Sequence, residues 1–394
     1  MRYFALFLLI LFVIAALLRV DFFFTIAYFF FAVYLLSRLW VRRTVGSVHV
    51  QRRFTDHAFC GDHVTADVIV RNAGWLPVPW LEVHESLPVE LATPPFHREV
   101  VGLGPRQQHR FQYTLNCRKR GYYPLGPLTL QAGDLLGIVR RRQAKFEPEH
   151  IIVYPRVLPL QQLSLPTHSP LVALPASTPL FEDPARVMGV RDYQRGDSPR
   201  RIHWTATARA RKLVVKRYQP AIARETLICL DLDGDDYGAR QRYTATELAI
   251  VTAASIATHV AVREGLPVGL ATKAFDPLVD GQTRFFLPPR SERVHLMGLL
   301  EVLARVRVTA GVPFAELLRH ESVNLSWGAT LSVITGRESE ALFDTLLCLR
   351  RAGFAVALIL VQPARRSHES RARAEMLGIP VYRVWTERDL EALQ

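Results

Sequence analysis

Two apolar runs inside the first forty residues constrain this chain more than any other feature. Residues 3–18 (YFALFLLILFVIAALL) are apolar throughout, and after Arg19-Val20-Asp21 a second run over 22–36 is softened only by Thr25. Neither run alternates and neither has a polar helical face, so each needs burial all round, which in so short a span means lipid. The sixteen residues of the first run reach about 24 Å as a helix, short of a ~30 Å hydrocarbon core. Flanking residues, with Arg19 and Arg38 snorkelling outwards, make up the difference. A signal peptide would also start with Arg2 and an apolar stretch. Here, however, no small-x-small cleavage site precedes a polar mature start, and a second apolar run follows at once. The short linker predicts a transmembrane helical hairpin over residues 1–43. Arg38, Arg42, Arg43, Arg52 and Arg53 cluster after the second helix, while the linker holds one Arg and one Asp. The positive-inside rule then places both ends, and the soluble domains, on the cytoplasmic side of an inner (cytoplasmic) membrane, with lipid as one partner. The scattered Cys60, Cys117, Cys229 and Cys348 suit that reducing side and form neither a zinc knuckle nor a CxxC pair.

The remaining length of the 394-residue chain has room for two further domains. Residues 47–160 lack a long helical period. Short alternating runs at 48–50, 64–70, 109–115 and 128–130 are separated by Gly, Pro, Asn and Asp clusters, which predicts an all-β sandwich. Trp75, Trp80 and Phe111 are its candidate core aromatics. Residues 161–220 divide into a Pro/Ser/Thr/Leu-rich extended linker (161–184) and a basic segment. From 221 to 394 strands and helices alternate. Strands are predicted at 226–230, 267–272, 329–334, 355–361 and 380–385, and helices at 244–264, 292–304, 314–320, 340–352 and 367–377. This is a three-layer, Rossmann-like α/β order.

The net charge of +13 fits nucleic acid, anionic lipid or an acidic protein partner. Residues 186–218 hold ten Arg or Lys against Asp192 and Asp197, and so carry most of that excess. Within the segment, Gly196 suits a tight turn, Asp197 or Ser198 a helix cap, and Pro199 a first helical turn. Arg200, Trp204 and Ala208 then share one face, with Arg201 beside them, and Val214-Val215 reads as a strand. Two readings lead. In a structural clamp, Arg201 and Arg209 pair with Asp192 or Asp197, and Trp204 packs the helix down. In a docking surface, the same residues meet an acidic protein. Nucleic acid is not expected as a partner, because the acids are interleaved, only one Trp is present, and no helix-turn-helix, zinc-finger or RNP pattern appears.

The pattern Arg191-x-Tyr193-x-x-Gly196-Asp197-x-x-Arg200-Arg201-Ile202-His203-Trp204-x-x-x-Ala208-Arg209 resembles the signature of the bacterial domain-of-unknown-function 58 (DUF58) family. The N-terminal hairpin is similar, as are Arg120-Gly121-Tyr122-Tyr123-Pro124-Leu125-Gly126-Pro127 and Gly133-Asp134-Leu135-Leu136-Gly137. The resemblance marks Arg191, Tyr193, Gly196, Asp197, Arg201, His203, Trp204 and Arg209 as partner-binding or signature residues. It implies a membrane-anchored protein with a von Willebrand factor A-like domain at 221–394. The implied role is that of a non-enzymatic scaffold or adaptor in the assembly or maturation of other proteins, with a MoxR-type AAA+ ATPase as partner.

The first strand of that domain ends in Asp231-Leu232-Asp233-Gly234-Asp235-Asp236, at the strand end where α/β sheets bind ligands. Clustered carboxylates attract a hard cation such as Mg²⁺ or Ca²⁺. An EF-hand is excluded, since Asp236 stands at the glycine position and Arg242 where the bidentate Glu belongs. Asp231-Leu232-Asp233-Gly234 resembles the loop of Mg-dependent haloacid-dehalogenase phosphatases, with Asp231 as nucleophile and Asp233 as acid/base. Asp235 replaces that loop's Thr, no Lys occurs after Lys273, and a downstream Gly-Asp-x-x-x-Asp pair is missing. The alternative is a degenerate adhesion-type metal site of Asp231, Asp233 and Asp235. In it the two usual serines have become Asp, no Thr is evident around 311–313, and the third-loop Asp is replaced by Gly336. No ATP-binding, dinucleotide or nucleophile-elbow motif occurs, so the sequence predicts no enzyme.

Overall fold

The computed structural model describes residues 2–18, 21–134, 139–160, 182–194, 198–220, 225–311, 313–363 and 377–391. Two compact units divide the chain. Met1–Arg156 with Leu300–Arg305 forms the first, and Val157–Leu299 with Val306–Gln394 the second.

The apolar runs form α1 (Arg2–Leu18) and α2 (Asp21–Gly46). Edge-to-face pairs Phe7–Phe30 and Phe12–Phe24, with centroids 5.9 and 6.1 Å apart, fix them as an antiparallel hairpin. Most of their apolar side chains face outward; Leu36 is 65% and Leu17 77% exposed. Two helices of the described chain are long and apolar enough to cross a membrane, Phe22–Gly46 and Arg242–Arg263. The first is 6% buried, which suggests membrane association; the second is 72% buried and is a core helix of the second unit. α1, at 17 residues, falls just short of a span on its own.

Ten strands follow in the first unit: β1 (Val48–Arg53), β2 (His57–Phe59), β3 (His63–Asn72), β4 (Val78–Ser86), β5 (Phe96–Leu103), β6 (Gln108–Asn116), β7 (Gly121–Leu125), β8 (Leu128–Gly133), β9 (Arg140–Phe146) and β10 (Glu149–Tyr154). They make sheets β1-β3-β6, β2-β10-β7 and β5-β4-β8-β9 around one core. The alternation read from sequence is the burial pattern: Val64, Ala66, Val68 and Val70 point in, and the residues between them point out. Phe111 is buried, but Trp75 is 73% exposed and does not belong to the core. The loop of residues 73–77 between β3 and β4, not a strand, carries it.

The end of α2 is part of this core. Val41, Thr44 and Val45 are almost fully buried, and Val41 and Val45 pack with Val48 and Val70. Trp40 Nε1 donates to the Pro77 carbonyl at 3.1 Å, and β1 starts two residues after the helix. A 26-residue helix is about 39 Å long; the excess over a bilayer is the turn and a half that the sandwich buries. Arg52 also lies inside, its side chain 4% exposed, so it does not add to the interfacial charge attributed to it from sequence.

In the second unit, β11 (Glu182–Asp192) and β12 (Val214–Pro220) pair antiparallel as a two-stranded ribbon that encloses α3 (Trp204–Ala210). A six-stranded mixed sheet follows, in the order β15-β14-β13-β16-β17-β18. Its strands are β13 (Thr226–Leu230), β14 (Val268–Asp276), β15 (Gly281–Arg290), β16 (Thr330–Thr335), β17 (Ala355–Val361) and β18 (Val381–Val384). All neighbours are parallel except β14 and β15. The helices are α4 (Arg242–Thr258), α5 (Arg293–Arg305), α6 (Phe314–Ser322), α7 (Glu340–Arg351) and α8 (Glu387–Glu391). α6 and α7 pack with Leu227, Cys229, Val333 and Leu358 on one face. α4 packs against β13, β16 and β17, is buried nearly all round, and bonds through Ser255 Oγ to the Leu158 amide at 3.0 Å. β15 was not expected: the sequence reading assigned no element between the strand at 267–272 and the helix at 292–304. Residues 367–376 of the helix predicted at 367–377 and residues 161–181 of the linker predicted at 161–184 lie outside the described residues; residues 182–184, read as linker, instead begin β11.

Candidate functional site

Two places in the second unit hold the residues singled out from sequence. The first is the C-terminal edge of the sheet between β13 and β16, where the strand order reverses and α/β folds open a crevice. A cleft of about 400 Å³ lies there, lined by Asp233, Asp236, Pro313, Thr335, Arg337 and Ser339 among others.

The carboxylates of this edge are engaged in holding the loop's own shape. Asp231 is 2% exposed. Its Oδ1 accepts from the Asp233 amide at 3.0 Å and its Oδ2 from Thr335 Oγ1 at 2.7 Å. Asp233 Oδ1 accepts from the Asp235 amide at 3.0 Å. Arg242 Nη2 reaches Asp235 at 3.0 Å, and Arg337 Nη1 reaches Asp236 at 3.2 Å. Thr309 is stitched to the loop by its backbone, giving its N–H to Leu232 O at 3.0 Å and accepting from Gly234 N at 2.8 Å. Burial, reinforced by the charge of Asp236, pushes the Asp231 carboxyl up to about 8.

This geometry bears on both chemical readings of the cluster. Asp231 is not among the residues that line the cleft, and its two oxygens are engaged by the Asp233 amide and Thr335 Oγ1, the reverse of what an attacking nucleophile needs. Nor do the residues fit an adhesion-type cation. Among the described residues, no group of three or more His, Cys, Asp or Glu is gathered to hold a metal ion. The third-loop position is closed as well: a Cβ built on Gly336 would lie 2.4 Å from the Tyr237 ring. The Tyr237 hydroxyl donates to the Asp231 carbonyl at 2.7 Å, which locks the ring in place. Of these residues Gly336 was singled out from sequence. Tyr237, Arg242 and Thr309 gave no sequence signal for their roles.

The second place is the basic ribbon. Pro199–Arg201 form a single 3-10 turn, with no side-chain cap from Ser198. Ile202 then bridges to Val215, and the α-helix begins only at Trp204. This corrects the expected helix from Pro199, so Arg200 and Arg201 do not share the helical face of Trp204 and Ala208. The cap is His203, whose Nδ1 accepts from the Ala206 amide at 3.3 Å. Thr207 Oγ1 accepts from Val214 N at 3.1 Å, tying α3 to the start of β12. Arg191 sits on β11 and donates to the Asp192 carbonyl at 3.1 Å. The Tyr193 amide donates to Leu213 O. Gly196 and Asp197 lie outside the described residues.

The clamp reading needs Trp204 to be packed, and Trp204 is 69% exposed. No residue of α3 is buried. The Asp192 carboxylate pairs with Lys212 at 2.7 Å, a cation outside the predicted set. Val190, Tyr193 and Leu213 are 37–49% exposed, and Arg201, Arg209, Arg211 and Lys212 are exposed too. The ribbon therefore presents an apolar strip flanked by cations.

Taken together, the chain is of the class that joins an apolar N-terminal helix hairpin and a β-sandwich to an α/β unit with a mixed sheet. Residues 189–320 match the family model described as "Protein of unknown function DUF58", which supports placing the chain in that family. No curated protein matches it. Among solved structures, the CARDB domain of the PF1109 protein from Pyrococcus furiosus is similar at 16% identity and TM-score 0.21, covering 27% of this chain and 91% of that one. A beta-glucosidase from Listeria innocua is similar at 10% identity and TM-score 0.18, covering 27% of this chain and 16% of that one.

Proposed function

We propose that this protein is a membrane-anchored, non-enzymatic scaffold whose α/β unit, of von Willebrand A-like type, docks an acidic protein partner through the β11–α3–β12 ribbon. The observation that carries the reading is Trp204, an indole left open to water among cations on a helix that buries nothing. Exposed Trp and Arg are the residue types that dominate interface energetics. The partner that the family resemblance implies is a MoxR-type AAA+ ATPase, engaged in the assembly or maturation of other proteins. Arginines 38, 42 and 43, in the C-terminal turns of α2, favour a cytoplasmic position for both units, the side on which such an ATPase works. The cleft at the sheet edge is self-contained by its Arg–Asp pairs and serves the loop's shape, not turnover.

Affinity capture of the ATPase on full-length protein in detergent tests this. Trp204→Ala combined with Arg201→Glu should weaken capture by about tenfold or more and leave thermal stability within about a degree or two, as for surface substitutions. A clear drop in Tm with capture retained would return the ribbon to a clamp role.

A further inference from the structure

We infer that the end of the β-sandwich next to α2 is a contact surface for anionic phospholipid headgroups, with Trp75 as its interfacial anchor. The inference rests on α2 crossing a bilayer and is independent of the ATPase.

Two loops form this end, one between β3 and β4 (73–77) and one between β5 and β6 (104–107). Their height along α2 is fixed by hydrogen bonds. Pro77 O accepts from Trp40 Nε1, and Ser47 O accepts from Ala73 N at 2.9 Å. The first loop thus runs alongside the helix between the levels of Ser47 and Trp40, about 10 Å apart. Trp40 follows the apolar stretch directly and stands between Arg38 and Arg42, which is the level of the membrane–water boundary. Trp75 lies on that loop, 73% exposed. A bare indole there lacks a protein partner for its apolar face, and interfacial lipid is the environment indoles prefer.

The loops are preformed. Asn72, fully buried, donates from Nδ2 to Leu76 O at 2.8 Å and Gly104 O at 2.9 Å, and its Oδ1 accepts from Gly74 N at 2.9 Å. Arg106 N donates to Gly74 O at 3.2 Å, joining one loop to the other. Arg106 is held at φ 58°, a left-handed conformation that is unfavourable for a residue with a Cβ. A glycine would serve the turn more cheaply, so the arginine's presence calls for a use of its side chain.

The charge is one-sided. Arg42, Arg43, Arg71 and Arg106 are exposed at this end, and neither loop nor the 38–53 segment contains an acid. Asp134, at the same end of β8, accepts from the Val139 amide at 3.0 Å. Basic residues close to an anionic lipid surface are drawn to it, and an arginine fork suits a phosphate.

Full-length protein is reconstituted into phosphatidylcholine/phosphatidylglycerol vesicles, with or without phospholipid brominated near the headgroup. Subtracting the emission of Trp75→Phe from that of the parent isolates Trp75; Trp40→Phe isolates Trp40 in the same way. Trp75 emission should fall about twofold or more with brominated lipid, as for an interfacial indole. Arg71→Glu/Arg106→Glu should largely restore it in phosphatidylglycerol-containing vesicles. Trp40 quenched with Trp75 unaffected overturns the lipid-contact inference and leaves the hairpin in place. Neither quenched overturns the membrane reading itself. Quenching of Trp75 that is indifferent to both phosphatidylglycerol and the charge reversals overturns the headgroup assignment.

Discussion

Arg52→Met should cost the sandwich about 3–5 kcal/mol, the usual penalty for stranding one member of a buried ion pair. The guanidinium lies 2.7 Å from Glu85, with the two side chains 4% and 0% exposed. Its other arm reaches the half-exposed Glu149 at 3.1 Å. Burial raises the Glu85 carboxyl above its ordinary range, and Arg52 is the largest influence opposing it. Without the arginine, the buried Glu85 loses the main charge that opposes its burial and must take up a proton or bring in water. The measurement is the denaturant midpoint of the full-length protein in detergent, followed by tryptophan emission. Arg52→Met/Glu85→Leu should recover most of the loss, because two apolar side chains of similar volume replace the pair. A single variant that unfolds at the parental midpoint, with unchanged slope, would show that the pair contributes nothing.

The second large effect belongs to Asp231. Its carboxyl has a folded value of about 8 against 3.8 when unfolded. Between those values the folded state holds a proton that the unfolded state has released. Stability from this group therefore declines as pH rises from about 4 to about 8 and is flat above. Asp231→Asn removes the penalty. The amide oxygen still accepts from the Asp233 amide, and Thr335 turns its hydroxyl to accept from the new NH₂ group. At about 1.4 kcal/mol for each tenfold change in proton affinity, the shift sets a ceiling of about 6 kcal/mol, so the variant should gain on the order of a few kcal/mol over the parent at pH 9 and little at pH 4. Thermal scans at the two pH values test this. Parallel stability–pH curves for parent and variant would sink the assignment.

Both sites show how far the sequence was readable. Alternation was read for β1 at 48–50 and not for β4; in the structure Arg52 and Glu85 occupy the next inward slots after Val48, Val50 and Leu81, Val83. Their places follow from the period of two; their pairing does not, because it joins two strands that are not neighbours in a sheet. The strands at 226–230 and 355–361 were plain, since central parallel strands are apolar on both faces. β15 was missed for the opposite reason. Its sequence, GQTRFFLPPR, bunches its apolar residues and ends in two prolines, which an edge strand tolerates and a central one does not. The ribbon helix was displaced because capping was assigned to Asp197 or Ser198, the commonest cap types, whereas the histidine ring at 203 performs it. Gly336 could be seen to break the adhesion pattern, but the ring that fills its space comes from a residue a hundred positions earlier in the chain.

The burial of Val41 and Val45 within the sandwich bears on how this protein can be handled. Cutting the hairpin away at residue 47 to obtain water-soluble material would remove two core side chains and the indole brace at Trp40 along with the greasy anchor. A cut before Leu39 keeps that plug and gives a fragment whose first two helical turns are structural cargo, not leftover tether.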